Sequence, residues 1–148
     1  MTNSPLKIPD DLLRQIHAHG VETYPHECCG ALLGRNAAGK ASEGREILAV
    51  LALENQRDDS PRNRFAVAPR DVIDAERAAQ ANGLEVVGWY HSHPDHPALP
   101  SDYDREHAWP WYSYVIVKVE KGKAREMTSW RLKEDRIEYE EEKIELRQ

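Results

Sequence analysis

The chain has 148 residues, 40% hydrophobic and 31% charged, with a formal net charge of -6. This length and composition predict one globular domain spanning residues 1–148, which buries roughly 70% of its unfolded surface. The acidic balance, without a basic cluster, argues against a nucleic-acid-binding protein. No apolar run approaches the ~18 residues of a membrane span. The start, MTNSPLKIPDD, lacks the apolar core of a secretion signal, so we expect a cytoplasmic protein.

The two cysteines, Cys28 and Cys29, are neighbours in the sequence. Adjacent cysteines rarely form a disulfide with each other, because the bond geometry strains the backbone between them. We therefore expect two free thiols, which agrees with a reducing compartment. The chain also lacks the cysteine-rich pattern of a structural zinc knuckle.

The N-terminal half predicts two helices separated by strands. Residues 8–20 have the apolar spacing of a helix, with Pro9 near its start and Gly20 as its stop signal. CGALLGR and REILAVLALEN predict strands, and a helix stays open as an alternative for the second. QRDDSPRNR predicts a polar loop and FAVAP a short strand. PRDVIDAERAAQANG predicts a helix that begins near Pro69 and ends before Gly83.

The C-terminal half predicts mainly strands. LEVVGWYHSH is rich in β-branched and aromatic residues, and YSYVIVKV alternates strongly, so both predict strands. SDYDREHA between them predicts a short helix. AREMTSWRLK and RIEYEEEKIEL predict two more strands, although the second is highly charged and equally compatible with a helix. This order of elements predicts an α/β or α+β fold with a single central mixed β-sheet flanked by helices.

Histidines cluster in one segment, WYHSHPDHPALPSDYDREHA, which covers residues 89–108. Residues two apart in a strand point to the same face, and Pro94 ends the strand. The side chains predicted to share that face are Val87, Trp89, His91 and His93. Two imidazoles at a strand end suit two positions of a tetrahedral metal site. Asp104, at the start of the next helix, is the natural third ligand, and the fourth position stays open, as in catalytic zinc sites.

Simpler interpretations exist for each of these residues. A bare His-x-His is a weak indicator of metal binding, and Ser101 with Asp104 also fits the capping box that opens helices. His96, between prolines, is interpreted as a surface residue. His107 is interpreted as a solvated or supporting residue, and Trp89 as part of the core.

A hydrolytic metal site also needs a base for the attacking water. Glu27 is the candidate, because it immediately precedes the first predicted strand and adjoins the apolar run that begins at Cys28. The alternative is an ordinary solvent-exposed acid, which is the usual state of a single glutamate.

Two stretches, ECCGALLG and GWYHSHPDHPALPSDYD, together resemble the JAMM family of zinc metalloproteases, also called MPN-plus domains. The family pattern is an upstream Glu, then His-x-His-Pro, then a Ser separated from the second His by seven residues, and finally an Asp separated from that Ser by two residues. This chain matches every position. The resemblance runs from the first helix through YSYVIVKV and is to the compact stand-alone members, chiefly prokaryotic. It implies the cytidine-deaminase-like MPN architecture.

The resemblance also implies a role for each matching residue. One Zn²⁺ per chain is expected, with His91, His93 and Asp104 as its ligands. Glu27 matches the acid that holds and deprotonates the zinc-bound water. Ser101 matches the hydroxyl that stabilises the tetrahedral oxyanion.

The activity implied is that of a zinc-dependent peptidase or isopeptidase. Its substrate is expected to be a ubiquitin-like or sulfur-carrier protein, cut after a C-terminal Gly-Gly tail. Several pathways stay open, and cysteine biosynthesis is one of them. Three alternatives remain: a cysteine hydrolase using Cys28 or Cys29, an MPN-type binding module without catalysis, and a zinc deaminase. The deaminase pattern requires a Cys-x-x-Cys that this chain lacks.

Overall fold

The computed structural model describes residues 4–40, 43–55 and 68–147. The predicted loop QRDDSPRNR and most of the predicted strand FAVAP fall on residues 56–67, outside the described residues. The strands are β1 (Leu6–Pro9), β2 (Cys29–Asn36), β3 (Arg45–Leu53), β4 (Glu85–Pro94), β5 (Ser113–Glu120), β6 (Lys123–Leu132), β7 (Tyr139–Glu142) and β8 (Ile144–Arg147). The helices are α1 (Asp10–Thr23), α2 (Pro69–Ala81) and α3 (Asp102–Glu106), with a short 3₁₀ turn at Ala37–Gly39.

The eight described strands form a single sheet in the order β7-β6-β5-β4-β2-β3-β1-β8. β4 runs parallel to β5, and β1 runs parallel to both β3 and β8, whereas the other neighbours are antiparallel. The predicted mixed central sheet is therefore confirmed. The two segments for which a helix stayed open are also strands: REILAVLALEN is β3, and RIEYEEEKIEL contributes β7 and β8.

The two longer helices cover opposite faces of the sheet. Neighbouring residues of a strand point to opposite faces, and in β2 they join different core clusters. Leu32 packs in the cluster that contains Ile16 of α1. Leu33 packs in the cluster that contains Ala79 of α2. Within the described residues, no helix has the length and apolar character needed to cross a membrane.

The prediction for the first helix is wrong at both ends. Ile8 belongs to β1, a strand that was not predicted, and the helix begins at Asp10. Gly20 does not end the helix, which continues to Thr23. A Cβ atom at Gly20 would lie 2.9 Å from Cγ2 of Val119. This glycine therefore lets α1 approach the sheet closely and is not a stop signal.

The prediction that Val87 shares a face with Trp89 is also wrong. Val87 packs in the α1-side cluster, and Trp89 packs in the α2-side cluster. The reason is an irregularity in the β2–β4 ladder, where Leu32 pairs with Gly88 but Leu33 pairs with Val86. The extra residue is Val87, and a β-bulge of this kind reverses the inward and outward alternation of the strand beyond it.

Candidate functional site

Antiparallel pairing of β2 with β4 brings Glu27 to the two histidines. Cys29 pairs with His91, and the ladder is extended by the Ser92 amide, which donates to the Cys28 carbonyl at 3.2 Å. The Cys28 amide donates in turn to Oγ of Ser92 at 2.8 Å. Potential ligand atoms of Glu27, His91 and His93 consequently lie within 4.8 Å of one another. All three residues are buried, with exposed fractions of 3%, 1% and 9%.

Helix α3 brings Asp104 to the same two histidines. Ser101 caps the helix: its Oγ accepts from the Asp104 amide at 3.0 Å, and its own amide donates to Oδ2 of Asp104 at 2.9 Å. That Oδ2 atom also lies 3.3 Å from Nε2 of His91 and 3.3 Å from Nε2 of His93. The predicted capping box is therefore present, and its carboxylate faces the histidine pair as well.

The spacing of these three atoms fits a tetrahedral metal. The two histidine Nε2 atoms lie 3.1 Å apart, and each lies 3.3 Å from Oδ2 of Asp104. Zinc bonds of about 2.0–2.1 Å place neighbouring tetrahedral corners roughly 3.3–3.4 Å apart. The triangle therefore has the size of one face of a zinc coordination tetrahedron, and its donor set of two imidazoles and one carboxylate is typical of zinc.

Burial and hydrogen bonding keep these groups in the forms that bind a cation. Burial lowers the pKa of His91 even though Asp104 lies beside it, so the imidazole stays neutral. Burial alone would raise the pKa of Asp104. The neighbouring His91 and His93, together with the hydrogen bond from the Ser101 amide, instead hold this pKa well below its usual range. Asp104 is therefore a carboxylate at neutral pH.

A further hydrogen bond orients His93. Its Nδ1 lies 2.8 Å from the Pro97 carbonyl oxygen. A carbonyl only accepts, so Nδ1 carries the proton and the Nε2 lone pair points toward His91 and Asp104.

Two cavities border this triangle and share no lining residue. The first cavity has a volume of about 340 Å³, and His91 and Asp104 are among its lining residues. Its aromatic walls are Trp89, Tyr103, Trp109, Trp111, Tyr112 and Tyr114. The second, of about 380 Å³, is lined by Glu27, His93 and Ser101 together with residues of the loop after β4. The triangle therefore separates an aromatic cavity from a more open depression that contains the candidate base.

The other predicted residues fall as follows. His96 lines the open depression, and His107 lines the aromatic cavity, where its ring stacks on Tyr103 with centroids 4.1 Å apart. Cys28 and Cys29 are buried free thiols. Burial raises the pKa of Cys28 to about 11 and that of Cys29 to about 12.

The aromatic cavity is the part of the site that the sequence interpretation missed. The signal for it is the segment AWPWYSY, at residues 108–114, which places four aromatic side chains immediately after the motif. Each aromatic residue alone is more often a core residue, and only the fold shows that these surround a cavity beside the candidate metal site.

Comparison with known proteins places the whole arrangement in a family. The prokaryotic homologs of the JAB domain match this chain over residues 9–133. The chain is 33% identical over 121 residues to a desampylase of Haloferax volcanii, an alignment that covers 78% of this chain and 82% of that protein. It is 34% identical over 111 residues to a probable TtuB-protein conjugate cleaving protease of Thermus thermophilus, covering 75% and 68%.

A solved structure agrees over nearly the full length. A protein from Desulfitobacterium hafniense superposes with a TM-score of 0.81 at 32% identity, covering 97% of this chain and 93% of that one. The family match spans most of the chain and includes every residue of the motif. The chain therefore belongs to the prokaryotic JAB-domain family and is a compact hydrolase of the JAMM type.

Proposed function

We propose that this protein is a zinc-dependent isopeptidase that hydrolyses the bond after the C-terminal Gly-Gly tail of a ubiquitin-like or sulfur-carrier protein. The observation that carries the proposal is the triangle of His91, His93 and Asp104 at tetrahedral spacing, with a buried glutamate beside it. The names of the relatives, a desampylase and a conjugate-cleaving protease, support the substrate class.

In this proposal, His91, His93 and Asp104 hold one zinc ion per chain. A zinc ion held there would make water a better nucleophile at neutral pH and would polarise the scissile carbonyl. The protein supplies neutral imidazoles and an ionised carboxylate in a buried setting, so the ligands need little rearrangement. His91 and Asp104 line the aromatic cavity and His93 lines the open depression, which leaves a position for water and substrate beside the triangle.

Glu27 is the general base in this proposal. Potential ligand atoms of Glu27 and the two histidines lie within 4.8 Å of one another, so the Glu27 carboxylate can reach a water held between them. Glu27 takes a proton from the attacking water and then delivers it to the leaving amine. The amine also receives the second proton of the water, so the peptide bond is replaced by a carboxylate and an ammonium ion, with one water consumed.

Ser101 is the oxyanion donor. Its Oγ accepts the Asp104 amide proton, and because a hydroxyl carries one donor as well as two acceptor sites, its own hydrogen stays available. Ser101 is exposed and lines the open depression together with Glu27. It can therefore donate to the carbonyl oxygen while still capping α3.

The Gly-Gly tail fits the open depression. Glycine has no side chain, so its backbone can approach a buried site closely, and its affinity comes from main-chain hydrogen bonds in an extended conformation. The segment DHPALP contributes His96, Pro97 and Leu99 to this depression.

The chemistry of the thiols argues against the cysteine-hydrolase alternative. A thiol with a pKa of about 11 or 12 carries almost no thiolate at neutral pH, and the thiolate is the nucleophile. Two free thiols also support the proposal that the protein works in the reducing cytoplasm. The inactive binding module is disfavoured because Glu27 and Ser101 both line the depression beside the ligand triangle.

The test combines metal analysis with a cleavage assay. Protein purified without chelator is expected to contain one zinc per chain and to cleave a carrier fusion that ends in Gly-Gly. Chelation should abolish cleavage, and zinc should restore it. The matched control substrate carries a bulky residue in place of the penultimate glycine and should resist cleavage. A zinc-loaded enzyme that cleaves none of a panel of Gly-Gly fusions would leave the binding-module alternative standing.

A further inference from the structure

The aromatic cavity is continuous with the candidate site but has no role in the chemistry described above. His91 and Asp104 are among its lining residues, so a group bound in the cavity lies beside the triangle. At its mouth, Trp109 and Trp111 are 50% and 58% exposed. Large aromatic side chains so exposed beside a cavity are characteristic of a binding surface.

Several contacts hold the walls of this cavity in place. The rings of Trp109 and Trp111 stack with centroids 5.1 Å apart, and the Trp109 amide donates to the Tyr114 hydroxyl at 2.8 Å. The buried guanidinium of Arg45 donates to the Trp111 carbonyl. Tyr112 packs edge-on against Trp89 with centroids 5.6 Å apart. The exposed rings are therefore pre-arranged and do not need to become ordered when a ligand binds.

The aromatic walls of the cavity suit the amine side of the scissile bond better than the Gly-Gly tail. A Gly-Gly tail has no side chains and needs main-chain hydrogen-bond partners, which ring faces supply poorly. An isopeptide also contains an apolar segment next to the scissile bond, namely the four methylene groups of the target lysine. These methylenes lie on the amine side of the bond, and aromatic faces are good partners for them.

We propose that the aromatic cavity holds the methylene stem of the target lysine, so that it selects isopeptide bonds over linear peptide bonds. This inference rests on the proposed function and adds a binding place for the leaving group, the target lysine. The tail then occupies the depression beside Glu27 and Ser101, and the lysine stem occupies the cavity beyond His91 and Asp104. Hydrolysis leaves the lysine as an ammonium ion facing the rings, which attract a cation.

The test compares two substrates with two variants. Both substrates carry the same carrier and Gly-Gly tail; one is linked to the ε-amine of a lysine in a peptide, the other to the α-amine of a glycine in a linear peptide. The variants are Trp111→Ala and a control, Leu146→Ala. Leu146 lies on β8 at the edge of the sheet, and its exposed fraction of 58% equals that of Trp111. Thermal unfolding and zinc content verify that each variant is folded and loaded.

Trp111→Ala is expected to lower kcat/KM for the lysine-linked substrate by about 15-fold and to change the linear substrate less than twofold. Each of two methylenes returned to water contributes roughly fourfold to this loss. Leu146→Ala should leave both values unchanged. An equal loss on both substrates, or no loss on either, overturns the inference while the proposed function stands. If the wild type cleaves neither substrate, the proposed function fails, and the inference is overturned with it.

A second measurement needs no variant. Lysine is replaced in the isopeptide by ornithine and then by diaminobutyrate, which shortens the stem by one and two methylenes. The wild type should lose roughly fourfold in kcat/KM for each methylene removed, and Trp111→Ala should show a flatter dependence. A wild type that cleaves the three substrates at equal rates overturns the inference.

Discussion

In the proposed mechanism the Ser101 hydroxyl caps α3 and donates to the oxyanion, and mutations can separate these two roles. Oγ accepts from the Asp104 amide at 3.0 Å as the cap of α3, while its hydrogen is available for the substrate oxyanion. The Ser101→Ala substitution removes both the cap acceptor and the hydrogen-bond donor. The loss of a helix cap costs about 1 kcal/mol, which for a chain of this size lowers the Tm by about 2–4 °C. The loss of one oxyanion donor lowers kcat by about 10²–10³-fold.

Two further variants assign each loss to its cause. Ser101→Thr keeps both a cap acceptor and a hydroxyl donor, so it should retain most activity and stability. Ser101→Asp keeps a good cap acceptor but has no hydrogen to donate at neutral pH. We therefore expect Ser101→Asp to unfold near the wild-type temperature and yet to lose at least as much activity as Ser101→Ala.

The assays are thermal unfolding, zinc analysis and turnover of a Gly-Gly carrier fusion under saturating substrate. Zinc content should stay near one per chain in all three variants, because Ser101 is not a ligand. A loss of less than tenfold in Ser101→Ala, with the expected fall in Tm, would refute the oxyanion role and leave Ser101 as a helix cap alone. A loss of zinc would instead show that the cap acts by holding Asp104 in place.

The remaining predictions concern the metal, the base and the thiols. His91→Ala and Asp104→Ala should each lose bound zinc by elemental analysis, and full retention in both would contradict the ligand assignment. Glu27→Gln should keep zinc and lose most peptidase activity, since an amide cannot take a proton; near-normal turnover would indicate another base. The Cys28→Ala, Cys29→Ala double variant should bind zinc and cleave, although it melts earlier. At pH 8 the native thiols should resist alkylation, because a pKa of about 11 or more leaves roughly one thiolate in a thousand.

Local patterns in the sequence predict most of the elements. Alternation predicted β5, the apolar run predicted β2, and the proline and glycine signals bounded α2 at Pro69–Ala81. The errors have non-local causes. Gly20 resembles a helix stop in the sequence, and only its contact with Val119 on β5 explains why it lies inside α1.

The face assigned to Val87 illustrates the same limit. Strand alternation is a local rule, and the bulge that breaks it arises from the pairing of β4 with β2. The buried Arg45 guanidinium donates to the Val87 carbonyl at 2.8 Å and to Oγ of Ser113 at 2.8 Å, so it ties the bulge to β5. Nothing near Val87 in the sequence indicates a partner that is 42 residues away.

The spacing of the motif was the most informative feature, and the structure gives it a physical reason. Between His93 and Ser101 the loop is held at several points. The Asp95 carboxylate accepts from the Tyr24 hydroxyl at 2.6 Å and from the Lys121 amide at 2.8 Å. The Ala98 carbonyl accepts from Oγ1 of Thr128 at 2.6 Å. A loop anchored in this way cannot gain or lose a residue without releasing an anchor.

The three-residue step from Ser101 to Asp104 is constrained even more strongly. The side chain of the third residue after a cap lies over the start of the helix and can reach the cap amide, as Oδ2 of Asp104 does. Moving the acid by one position rotates it by about 100° around the helix axis. That rotation would remove it from the Ser101 amide and from both histidines together. The same spacing therefore serves both the helix cap and the contact of Asp104 with the two histidines, which is why the sequence alone did not distinguish a cap from a metal ligand.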